Sequence, residues 1–91
     1  KKAARKAAAD ERNAAKTLRS QSNRLMNQIE SQTAKLKGIE AELANPELYQ
    51  ADGKARLDTL LRSQKAVRQE IETLELQWAK IEEEIEASEA G

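Results

Sequence analysis

The chain has 91 residues, 35% charged and 38% hydrophobic, with zero net charge, one Trp, one Tyr, and no Cys, His or Phe. Such a composition fits a long helix or coiled coil and is too poor in large apolar side chains for a compact globular core. It excludes disulfides, thiolate or imidazole metal sites and the usual nucleophile–base pairs, and no apolar run approaches the ~18 residues of a membrane span.

The chain opens in helix-forming sequence at Lys1, and so reads as part of a longer protein. Residues 1–14 have strong helix propensity but little to bury, because their inward positions are Ala4, Ala8 and Glu11. Residues 1–24 carry eight basic side chains and two acids, a net charge of +6. From Leu18 a seam begins: Leu18, Ser22, Leu25, Ile29, Gln32, Leu36, Ile39, Leu43. It steps strictly by three and four, the a/d repeat of a coiled coil. Gly38 falls on the outer face of this helix and should weaken it by ~1 kcal/mol relative to Ala.

The seam stops at Asn45-Pro46-Glu47-Leu48-Tyr49-Gln50-Ala51-Asp52-Gly53. Pro46 disfavours helical geometry at Asn45, so helix 1 should end near Ala44. Asn45 can cap a short turn with Pro46 at its first position. Asp52 is the expected N-cap of helix 2, with Gly53 supplying backbone freedom. Leu48 and Tyr49 are expected to fold over the tip and cover Leu43, Leu57 and Leu61.

A second seam follows: Leu57, Leu60, Gln64, Val67, Ile71, Leu74, Trp78, Ile81, Ile85. Residues 70–91 carry eight acids and a single base, Lys80, a net charge of −7. The sequence therefore predicts an all-α fold: one two-helix antiparallel coiled-coil hairpin over residues 1–91, with helix 1 at about 2–44, a turn at 45–52 and helix 2 at about 53–88. At ~1.5 Å per residue the rod should be ~55–65 Å long, and it should be a monomer.

Folding at the turn pairs Leu43 with Leu57, Ile39 with Leu60 or Leu61, Leu36 with Gln64 and Gln32 with Val67. Further along it pairs Ile29 with Ile71, Leu25 with Leu74, Ser22 with Trp78, Leu18 with Ile81 and Ala15 with Ile85. The bulkiest side chain thus meets a small one, as interdigitated packing requires. Trp78 should be a packing residue, with Ser22, Leu18, Leu25 and Leu74 around it. Gln32 and Gln64 are polar seam residues that could fix register. The flanks place Arg19 near Glu82, Arg12 near Glu89 and Glu42 near Arg56, with no like-charged pair. The basic and acidic segments then lie side by side and neutralise each other.

Chemistry is absent from this pattern. The glycines stand alone at 38, 53 and 91, so there is no phosphate loop. Glu82, Glu83, Glu84 and Glu86 read as a solvated face balancing the basic segment rather than as a metal cluster. A two-helix hairpin has no water-excluding cavity, so this chain is not expected to be an enzyme by itself.

The run Leu43-Ala44-Asn45-Pro46-Glu47-Leu48-Tyr49 resembles the hairpin turn in the C-terminal extension of ABC-F ATPases. Leu74-Glu75-Leu76-Gln77-Trp78-Ala79-Lys80-Ile81-Glu82-Glu83 is similar to that family's late-helix pattern, and Leu18–Leu25 resembles the start of the same hairpin more weakly. The resemblance covers residues 18–88. It implies a cytoplasmic partner of the translating ribosome, with no cofactor in this segment and ATP and Mg bound elsewhere in the parent. It also implies an accessory contact to ribosomal RNA or protein, or in one branch to DNA. The tyrosine-leucine-proline motif that opens the hairpin in the DNA-binding branch does not occur here. Contact would fall to the outward side of the basic segment, at Lys1, Lys2, Arg5, Lys6 and Lys16, and would be weak in isolation. Two alternatives stay open. One is the tRNA-binding C-terminal arm of valyl-tRNA synthetase, which also has an Asn-Pro turn. The other is a purely structural spacer or protein-interaction coil.

Overall fold

The computed structural model describes the backbone of residues 2–90 and the side chains of residues 10–89. It is an all-α helical hairpin. Helix α1 spans Lys2–Leu43 and helix α2 spans Lys54–Ala90, joined by two 3-10 turns at Pro46–Tyr49 and Ala51–Gly53. The molecule measures 76 × 15 × 15 Å. It exceeds the expected rod because α1 alone accounts for about 63 Å at about 1.5 Å per residue, and the tip turns continue beyond it.

Every seam residue from Leu18 to Leu43 and from Leu57 to Ile85 is buried or half-buried. The best-covered positions are Leu60 and Val67, at 4% and 5% exposure, with Ile39 packed against them and Leu36, Leu43, Leu48 and Ile71 around this cluster. Leu74 and Ser22 are the other buried positions, and no described side chain is fully enclosed. Two helices alone cover each other on one side only, so burial is a stripe rather than a centre. Between the two candidate partners of Ile39, the structure selects Leu60; Leu61 stands 47% exposed.

The reversal is built from short bonds. Asn45 has extended backbone, and its side chain accepts from the Glu47 N–H at 3.1 Å, with Pro46 in the first turn behind it. This is the Asn-Pro cap that the sequence predicts. The carbonyl end of α1 is tightened by bonds from Ala44 N–H to Glu40 and from Asn45 N–H to Glu42, both at 3.1 Å. The Tyr49 hydroxyl donates to the Leu43 carbonyl at 2.8 Å, satisfying one of the orphan acceptors of a helix end.

Three expectations about the tip are corrected. Tyr49 does not lie over the apolar residues: its side chain is 63% exposed, held outward by the bond to Leu43, while Leu48 alone packs against the core. Asp52 does not cap α2; it lies inside the second 3-10 turn and accepts no hydrogen bond among the described residues. That turn is closed by backbone instead, Gly53 N–H donating to the Gln50 carbonyl at 2.9 Å. Gly53 is not needed for an unusual dihedral, since no glycine among the described residues has positive φ. It is needed for space: a Cβ there would sit 2.2 Å from the Leu48 carbonyl oxygen and 2.9 Å from its Cα.

The two internal glycines are therefore opposites. At Gly38 a Cβ would meet nothing within 4 Å. Gly38→Ala should raise stability by about 1 kcal/mol, the helix-propensity difference. Gly53→Ala should lower it by ~1–3 kcal/mol, because backbone must move to admit the methyl group. Urea melts of the two variants against the parent check both signs.

Candidate functional site

Trp78 occupies the seam of α2 opposite Ser22 of α1, as the register predicts. The contact is more than size matching. The indole Nε1–H donates to Ser22 Oγ at 3.1 Å, and the Ser22 hydroxyl donates onward to a Glu82 carboxylate oxygen at 2.5 Å. Ser22 is buried at 7% exposure, yet both its bonding roles are filled. A partly buried indole N–H requires an acceptor, so a serine in an otherwise aliphatic seam facing the lone Trp was the legible signal for this chain of bonds.

The two seam glutamines do not share that role. Gln32 and Gln64 are half-buried, and neither makes a hydrogen bond among the described residues. No buried side-chain polar atom lacks a partner, so their amides reach solvent at the seam edge. The polar mark on the register is Ser22–Trp78, not the glutamine pair.

The flanking charges follow the predicted pairing at one point and depart from it at another. Arg56 pairs with Glu42 at 2.6 Å, as expected. Arg19 was assigned to Glu82 but pairs with Glu89 at 3.4 Å, two turns further on, and Glu82 is taken by Ser22. Arg68 pairs with Glu40 at 3.5 Å, with the same offset. Helical side chains lean toward their own N-terminus. In an antiparallel pair two such side chains lean toward one another when each lies beyond the position directly opposite its partner, as in these two pairs; Arg56 and Glu42 meet without that offset. All three bridges are exposed, so each contributes ~0–1 kcal/mol.

Of the residues proposed from the sequence to meet nucleic acid, Lys16 lies among the described side chains. It is exposed and has no side-chain ion pair or hydrogen bond among the described residues. Lys1 lies outside the described residues, and the side chains of Lys2, Arg5 and Lys6 lie outside the described side chains. Among the described residues, no three acidic side chains converge closely enough to hold a metal ion, and no helix is long and apolar enough to cross a membrane.

Beside Trp78, on the flank opposite Glu82, the helices leave a groove of about 320 Å³. Gln21, Arg24 and Leu25 line it from α1, and Gln77, Lys80 and Ile81 from α2. Comparison of the chain with protein-family models, curated proteins and solved structures finds no match.

The Trp78 site gives a graded expectation. Trp78→Ala should cost ~3 kcal/mol or more through lost packing. Ser22→Ala should cost about 1 kcal/mol, since it removes hydrogen bonds and keeps volume. Thermal or urea melts read both. A Trp78→Ala variant that melts like the parent would remove this residue from the fold's support.

Proposed function

We propose that the hairpin is the non-catalytic C-terminal coiled-coil segment of an ABC-F ATP-binding protein, making an accessory contact to ribosomal RNA, ribosomal protein or DNA through its basic segment. The observation that carries this reading is the tip. The run Leu43–Tyr49, which bears the resemblance, behaves as one folding unit. Asn45 caps, Pro46 starts the turn, Leu48 joins the core and Tyr49 ties back to the end of α1. Trp78, the second point of resemblance, holds the opposite stretch of the hairpin through Ser22. A rod of this kind presents charge at a distance from its base, and Lys16 is an exposed cation with no acid committed to it.

Phosphate contact of this type is electrostatic, so it should be weak in the isolated hairpin, indifferent to sequence and steeply salt-dependent. Replacing Lys2, Arg5, Lys6 and Lys16 with Gln should weaken binding to labelled single-stranded and duplex RNA and DNA at least tenfold at low salt, with no shift in melting temperature. In the parent protein, deleting the hairpin should reduce co-sedimentation with ribosomes. A parent lacking two nucleotide-binding domains would refute the family reading. Absence of oligonucleotide binding at low salt would leave the hairpin as a spacer.

A further inference from the structure

The groove beside Trp78 has a composition that the hairpin itself does not explain. Its floor is aliphatic, from Leu25 and Ile81, both seam residues left half-covered. Across the floor stand two cations, one from each helix, Arg24 and Lys80, with the amides of Gln21 and Gln77 between them. Neither cation has an ion pair or hydrogen bond among the described residues. The acids that follow Lys80 on α2, Glu82, Glu83 and Glu84, do not line the groove.

We propose that this groove docks an acidic amphipathic helix of a protein partner. An aliphatic or aromatic side chain seats on Leu25 and Ile81. Carboxylates on the flanks of that apolar stripe meet Arg24 and Lys80, and Gln21 and Gln77 supply donors and acceptors at the rim. Charge complementarity selects the occupant: two unpaired cations bracket an apolar strip, so the partner needs apolar anchors bracketed by acids. A nucleic acid strand fits less well, because the floor offers no aromatic face on which a base could stack. This inference does not depend on the ABC-F reading.

The test is selection of helical peptides from a randomised display library against the whole hairpin, followed by anisotropy titration of the winners. Trp78, which adjoins the groove, gives a second readout through its emission. The selected peptides should carry Asp or Glu flanking an aliphatic or aromatic residue. The double variant R24Q/K80Q should weaken them about tenfold, as removal of two exposed ion pairs implies. Both positions are exposed, so the variant should keep the parent's melting temperature. Failure to enrich any peptide would overturn the proposal. So would winners that are neutral or basic, or that bind R24Q/K80Q as well as the parent. Oligonucleotide binding lost specifically in R24Q/K80Q, or sedimentation as a dimer that these substitutions dissolve, would assign the groove to a different occupant and equally overturn it.

Discussion

The place where the chain reverses controls everything else in this molecule. Gly53 packs against the Leu48 backbone with no room for a side chain, and Asn45 fixes the entry to the same turn. These contacts set the number of residues between the two helices. A seam repeating every three and four residues would bury nearly as well one heptad out of step, so apolar pattern alone leaves several alignments close in energy. The tip removes that freedom. Once Leu43 and Leu57 are set by the turn, Ser22 is delivered to Trp78 more than thirty Å away, at about 1.5 Å per residue along the rod.

The far end carries its own register mark. The bonds from Trp78 to Ser22 and from Ser22 to Glu82 form only when one serine and one tryptophan meet. A slip by one heptad would place Trp78 against Ile29 or Ala15, leaving the indole N–H with no acceptor in the seam. Aliphatic layers between the two marks supply burial; the marks supply uniqueness. The ion pairs contribute less, since all three lie in solvent, but the offset shared by Arg19–Glu89 and Arg68–Glu40 reports the lean of the side chains and agrees with an antiparallel arrangement.

Much of this was legible in the sequence. Period fixes which faces are buried, and every seam residue predicted is covered. The Asn45-Pro46 cap and the Glu42–Arg56 pair also follow from local rules, because both lie within or beside the short turn. What escaped depends on three-dimensional reach. Arg19 meets Glu89 through the tilt of two long side chains, which spacing does not encode. Asp52 looks like a cap from composition, but a second 3-10 turn takes its place with backbone bonds. Tyr49 looks like core from its apolar ring, yet its hydroxyl finds the Leu43 carbonyl and holds the ring outward. The groove at Arg24 and Lys80 was invisible because it is made by side chains of both helices that are far apart in the sequence. Function was the least legible, since a coiled-coil pattern records burial and leaves partner chemistry to a few exposed side chains.

A rod in which no described side chain is fully enclosed has no centre on which its stability concentrates. Its layers hold one another in series, like teeth of a zip. Joining Leu43 to Leu57 closes a loop of 14 residues, whereas joining Leu18 to Ile81 directly would close one of 63. Loop-closure entropy favours the former by about 1.3 kcal/mol. The tip is thus the slider end from which the two strands close, and the open end is where they part. Such a hairpin can yield at its base while its tip keeps its shape.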